Sequence, residues 1–335
     1  MSISRFALFA LSAVALAAPG EAAAADQVRF GLNWLPDPEH GGYYQAVADG
    51  TYAKYGLDVT IVPGGPQTNN AILLISGKLD FYMGGNMVQA FSAVQEGVPI
   101  IVVAAEYQKD PQVIMSHPGV GLDKWSDLPK APTAFISKEA LVSFYPWMKS
   151  AYGFKDENVR PYTFNAGPFI ADKNSIQQGY LNSEPHEVEK DGGFKPNVFL
   201  LADEGFSAYA STIEARKETV EKNPDLVQRF VDATAIGWYH YLYGDNTKAN
   251  EAIKKANPDM TDDQIAYSNT VMKEHGVIDS GDTLTMGIGA MTDARMKDFF
   301  DKMVKAGVFK PDLDFKKSYT LQFVNKGVGL DQRPK

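Results

Sequence analysis

The sequence predicts an α/β fold in two lobes, each a parallel-rich sheet flanked by helices, with two crossings between the lobes. Three observations predict it. Short apolar strands alternate with amphipathic stretches along most of the chain. Glycine or proline falls at nearly every junction between them. The roughly 310 residues that follow an apolar leader exceed the size of one typical core.

The leader comes first. "MSISR" is a short cationic start, "FALFALSAVALAA" is an apolar run too short to span a bilayer comfortably, and "EAAAADQ" offers small residues for cleavage near Ala25. Residues 1–25 therefore read as a secretory signal peptide. The chain has no cysteine, so lipid anchoring through a cleavage-site Cys is excluded and disulfides play no part. A soluble periplasmic protein is the expectation.

The first lobe opens with "QVRFGLNW", a strand with Val28, Phe30 and Leu32 alternating. "GYYQAVADGTYAKYG" predicts a helix ended by Gly56, and "LDVTIVP" a strand. "GGPQTNNAILLISG" predicts a helix with Pro66 in its first turn and Gly77 as its C-terminal cap. "KLDFYMGG" is a short strand, "NMVQAFSAVQEG" a helix, and "VPIIVVAAEY" a strand apolar on both faces. Near-continuous apolar strands between helices indicate a parallel sheet covered on both sides.

A second series follows. "APTAFIS" is strand-like, and "KEALVSFYPWMKSAYG" helical with Pro146 as a kink. "VRPYTF" is strand-like, "FIADKNSIQQG" helical, and "NVFLLAD" a strand again. After "YASTIEA" the chain is mostly helix. "NPDLVQRFVDATAIGWYHYL" has Asn223 as N-cap, Pro224 at the first position, and Val227, Phe230, Val231, Thr234, Trp238 and Tyr241 on one face. In "MTDARMKDFFDKMVKAG", Met296, Phe299, Phe300 and Met303 form a core stripe. Residues 26–112 and 206–335 are expected to form one lobe, and 113–205 a lobe inserted into it.

The net charge is −9, unchanged by loss of the leader, and no basic block occurs. Nucleic acid and anionic lipid are therefore poor partners, and a small molecule is favoured. In open parallel sheets ligands sit beyond the carboxyl ends of the strands. Trp34 follows a strand directly and offers an indole for stacking on a flat ring, with Asn33 beside it. His40 precedes Gly41 and Gly42 at a helix start, and Tyr44 offers a second aromatic face. Thr68 lies in a "GGPQTNN" turn that lacks the lysine of a nucleotide-binding loop. In "MGGN", Gly84 and Gly85 let backbone approach a ligand and Asn86 is an N-cap. In the inserted lobe Asn165, Tyr180, Ser183 and Glu184 stand at strand ends, with Glu184 placed to accept hydrogen bonds from an amino or ring N–H group.

Enzyme signatures are scarce. Thiol catalysis needs a cysteine, "GFSAYA" is not a nucleophile elbow, and the five histidines lack metal-type spacing. No cofactor is indicated.

"VRFGLNWLPDPEHGGYYQAVADGTYAKYGLDVTIVPGG", followed by "ILLISGKLDFYMGG", resembles the periplasmic binding proteins of ATP-driven importers. It is most similar to the branch handling the thiamine pyrimidine and its breakdown products, the NMT1/THI5-like family. That resemblance implies the type II two-lobed fold, a monomer with an ABC permease as partner, and a first pocket segment made of Asn33, Trp34 and His40. The same branch includes a fungal pyrimidine-forming enzyme whose cofactor-bearing lysine and active histidine would fall at Gly84 and Val88, so its chemistry is not implied here. Riboflavin or another organic solute is the alternative ligand, and a sensor subunit the alternative role.

Overall fold

The structure, a computed structural model, describes residues 24–65 and 67–334. Nearly all of the expected signal peptide, and Pro66, lie outside the described residues. Two five-stranded sheets organise the rest.

The first sheet contains β1 (Asp26–Gly31), β2 (Leu57–Val62), β3 (Phe81–Asn86) and β4 (Ile100–Tyr107). The chain then passes through residues 108–111 into β5 (Gln112–Ser116), β6 (Thr133–Ile136), β7 (Val159–Pro161), β8 (Ser175–Tyr180) and β9 (Asn197–Leu200). It returns through residues 201–209 into β10 (Ala210–Arg216). The strand orders are β2-β1-β3-β10-β4 and β7-β6-β8-β5-β9. Each sheet has four strands running one way and a single reversed strand. In the first sheet β10 is antiparallel to β3 and β4. In the second β5 is antiparallel to β8 and β9. The reversed strand is in each case the one entered directly from the other sheet. A chain that leaves β4 at its carboxyl end and crosses without a covering helix arrives pointing the opposite way.

The apolar strands pack as their patterns require. Val28, Phe30, Phe81, Met83 and Val102 to Ala105 are buried, and Phe30 and Phe81 pack against Phe230 of the long helix Pro224–Tyr243. Phe81 and Phe230 stack at 4.2 Å, with Tyr52 stacked on the other side of Phe230 at 5.4 Å. Gly42 explains part of the odd connection after β1. A Cβ there would lie 2.3 Å from Trp238, so only glycine lets the helix Gly41–Ala48 approach the long helix this closely.

Several elements differ from expectation. Residues 42–56 form two helices, Gly41–Ala48 and Thr51–Lys54, because Gly50 takes a left-handed φ of 74° between them. The helix after β2 begins at Asn70 with Asn69 as its cap, later than Pro66. Pro146 opens the helix Tyr145–Tyr152 instead of kinking one, since its missing N–H is unneeded there. Asn223 stands at an N-cap position but makes no capping hydrogen bond. In "FIADKNSIQQG" only Gly167–Ala171 is helical, and the rest enters β8, a buried strand. Its glutamines hid it, because they break apolar alternation: Gln178 Oε1 accepts the Ser137 N–H at 2.6 Å, while the buried Gln177 side chain has no hydrogen bond among the described residues. Strand β5 carries no sequence signal strong enough to separate it from β4.

Candidate functional site

A cavity of about 250 Å³ lies between the two sheets, walled by residues from both. From the first-sheet side it receives Asn33 and Trp34 after β1, Asp37 and Glu39 from the next turn, and Gly85, Asn86 and Gln89 after β3. From the other side come Ser137 and Glu139 after β6, Phe164 after β7, Gln178 to Tyr180 at the end of β8, and Ser183 and Glu184. Asp110 belongs to the first crossing and Gln112 opens β5.

Local sequence builds the first wall. The short 3-10 turn Pro38–His40 is capped by Asp37, whose Oδ1 accepts the Glu39 N–H at 2.8 Å. His40 Nδ1 lies 3.2 Å from the Asp37 backbone nitrogen and 3.1 Å from Asp37 Oδ1, and its Nε2 lies 3.4 Å from Asn33 Oδ1. The imidazole therefore braces the turn and Asn33 from behind, fully buried. Asn86 Oδ1 caps the helix Met87–Gln95 through the Val88 N–H at 3.0 Å, and its Nδ2 donates to Asp110 Oδ2 at 2.7 Å.

The opposite wall is built at the β8 end. Glu184, first residue of its helix, accepts the Tyr180 N–H at 2.8 Å and the Tyr162 hydroxyl at 3.0 Å. The two walls also touch. Asn182 Nδ2 donates to Glu39 Oε1 at 3.1 Å. Trp34 and Phe164, one from each wall, touch with ring centroids 5.4 Å apart and planes tilted by 43°. Phe164 holds a left-handed φ of 58° and is 52% exposed. A bulky residue in that conformation is strained by roughly 1–2 kcal/mol, and here the conformation turns its ring toward Trp34.

The electrostatics are one-sided. Asp37, Glu39, Asp110, Glu139 and Glu184 line the cavity, and among the described residues no Lys, Arg or His does. Burial pushes the Glu39 carboxyl well above the ordinary range, Asp37 adds repulsion, and the Asn182 hydrogen bond opposes both. Burial lifts Asp110 to about 6 against the Asn86 and Gln112 donors. Burial also raises Glu184, opposed by the backbone N–H of Tyr180.

Of the residues singled out from sequence, Asn33, Trp34, Gly85, Asn86, Tyr180, Ser183 and Glu184 line the cavity. Five do not. His40 lies behind Asn33. Tyr44 is buried in the core of the first lobe. Thr68 is exposed in its loop. Asn165 is exposed and turns back to accept the Gly167 N–H at 2.8 Å. Gly84 faces β10, where a Cβ would sit 2.2 Å from Glu214 Oε1, so its role is room for that buried carboxylate. Sequence reading missed Asp37, Glu39, Asp110, Gln112, Gln178 and Phe164. The acids of "PDPEHGG" stand in a strand-to-helix connection and were within reach of the same rule that found Trp34. Phe164 was not, because nothing local announces a left-handed backbone at a phenylalanine.

Two sheets joined by two crossings, with a cavity between them, define the type II periplasmic-binding-protein architecture. The periplasmic aliphatic sulphonate binding protein SsuA from Escherichia coli has the same fold, with a TM-score of 0.61 at 15% identity over 92% of this chain and 91% of that one. The chain belongs to the NMT1/THI5-like family, whose profile matches residues 37–247. It is 25% identical to the riboflavin-binding protein RibY of Chloroflexus aurantiacus over 95% of this chain and 92% of that protein. It is 23% identical to the 4-amino-5-hydroxymethyl-2-methylpyrimidine phosphate synthase THI11 of Saccharomyces cerevisiae, over 71% of this chain and 73% of that protein. Among the described residues no helix is long and apolar enough to cross a membrane, and no cluster of metal-type ligands occurs.

Proposed function

We propose that this protein is the periplasmic solute-binding component of an ABC-type importer, capturing a small planar nitrogen heterocycle in the interlobe cleft. The observation that carries this reading is the pairing of Trp34 from one wall with Phe164 from the other, over a lining otherwise rich in hydrogen-bonding groups. At 5.4 Å and tilted by 43° the two rings touch each other, so a flat ligand stacks against the face they jointly present rather than between them, and the polar groups fix its orientation. A thiamine pyrimidine precursor, formylated or hydroxymethyl aminopyrimidine, is the favoured ligand. A cavity of about 250 Å³ lies at the low end for small-molecule sites and favours one ring over a flavin. The riboflavin-binding relative supports a flavin as the second reading.

The mechanism is binding. A solute that touches both walls stabilises the closed arrangement over any open one, and closure presents the surface a permease recognises. Catalysis of the pyrimidine-forming kind is disfavoured. The positions its lysine and histidine would take hold Gly84, packed against Glu214, and Val88, buried. A lysine at 84 has no space for its Cβ, so the residues present do not fit a pyridoxal group.

A thermal-shift screen with pyrimidines, flavins, amino acids and sulfonates tests the proposal. At a hundredfold excess over the dissociation constant the ligand adds about 2.7 kcal/mol of stability. Stabilisation by non-aromatic solutes alone would remove the heterocycle and leave the binding role. No stabilisation by any solute would remove both.

A further inference from the structure

We propose that the occupant of the cleft is a cation: a planar group bearing a protonated amidine, amine or ring nitrogen, or a fixed positive charge, gripped by Glu39 and Asp37. The proposal rests on the solute-binding reading and deepens it by naming the ligand's charge.

Among the described residues five carboxylates line the cavity with no basic side chain to neutralise them. Three of the five are already engaged by the protein. Asp110 takes the Asn86 amide and the Gln112 N–H, Glu184 takes Tyr162 and the Tyr180 N–H, and Asp37 takes the Glu39 N–H. Glu39 is different. It is only 7% exposed, its Oε1 holds Asn182, and its Oε2 has no hydrogen bond among the described residues although the side chain lines the cavity. A second acceptor points the same way. Gln112 Oε1 is buried and has no partner. Both oxygens are open to donors from the ligand, and a cation among the acids would favour the ionised form of Glu39 that burial and its acidic neighbours oppose.

The surroundings of Glu39 sharpen this. From its own turn it is faced by Asp37, with His40 beyond it on Asp37, from the crossing by Asp110, from the other wall by Asn182, Tyr180 and Glu184, and from β4 by Tyr107. None of these except His40 can carry positive charge, and His40 is directed at Asp37 and Asn33. A phosphate or sulfonate would meet repulsion from every side. A cation would relieve the repulsion between Asp37 and Glu39 and would lower the Glu39 proton affinity, so its binding should strengthen as pH rises.

A matched pair of probes tests the charge: benzamidine, a planar cation, and benzamide, its neutral isostere, with dissociation constants measured by calorimetry on the full mature chain. Benzamidine should bind at least tenfold more tightly, and benzoate not at all. The ratio should fall toward one in Glu39→Gln and fall partway in Asp37→Asn, whose rim position keeps the test alive if Glu39→Gln does not fold. Equal binding of the pair, or an unchanged ratio in a folded variant, overturns the proposal. Tight, pH-independent binding of riboflavin also overturns the charge while leaving the solute-binding role in place. Failure of every planar solute to bind removes the underlying reading too.

Discussion

Asp110 and Glu106 stand four positions apart and are equally removed from water, yet the protein treats them in opposite ways. Asp110, at the cleft, receives the Asn86 amide and the Gln112 N–H and is lifted only to about 6. Glu106, in the core of the first lobe, has no partner for either oxygen, and burial alone pushes it up to about 8. Nearby, the Tyr43 hydroxyl, the Trp238 indole N–H and the Tyr239 hydroxyl also lack partners. The contrast teaches that burial by itself does not make a charged site. Donors supplied by neighbouring elements hold Asp110 closer to ionisation, whereas Glu106, which has none, is pushed up to about 8 by burial alone.

The largest effect that would break this comparison concerns Glu106. Its folded-state proton affinity exceeds the unfolded value, so the native state holds a proton that the unfolded chain has lost between about pH 4.5 and 8. Stability should fall with rising pH across that window. In Glu106→Gln that part of the fall disappears, and the variant should exceed the parent on the order of 4 kcal/mol by pH 9. Denaturant melts at several pH values measure it, and parallel curves for the two proteins would contradict the assignment.

Next in size is Asn86→Ala. It removes a helix cap and the donor that holds Asp110, and should cost about 2–3 kcal/mol at pH 7. Adding Asp110→Asn should recover part of the loss, as urea midpoints of the double-mutant cycle would show. Full additivity would mean that the two side chains are not coupled.

A smaller effect separates binding from stability. Trp34→Ala should weaken affinity for an aromatic ligand about tenfold. Phe164→Gly should weaken it too, while stability stays level or rises by about 1 kcal/mol through relief of the left-handed backbone. Loss of stability without loss of affinity in Phe164→Gly would show that the ring serves packing alone. The smallest effect belongs to Thr68→Ala, which should leave stability within about 0.5 kcal/mol and affinity unchanged, since Thr68 is exposed outside the cavity.

Much of the fold was legible because its signals are local. The alternation in "QVRFGLNW", the apolar run of "VPIIVVAAEY" and the face of the helix Pro224–Tyr243 each report burial from a few neighbouring residues. Strand-end logic then located Trp34, Asn86 and Glu184. It misplaced His40, Tyr44 and Asn165, because position at a strand end does not fix which way a side chain turns. Strand β8 was read partly as helix, since two glutamines at its centre look polar although the fold buries both.

By itself the sequence determined the alternation of strands and helices and the connections from which a site would be drawn. These follow from periodicity and from the backbone habits of glycine and proline, which neighbours along the chain decide. Only the tertiary structure decided that Glu39 meets Asn182, 143 positions away, and that Trp34 meets Phe164. It also decided that the acids of the cleft gather without a counter-cation. Those facts depend on how two sheets close on each other, a packing outcome that no short stretch of chain encodes.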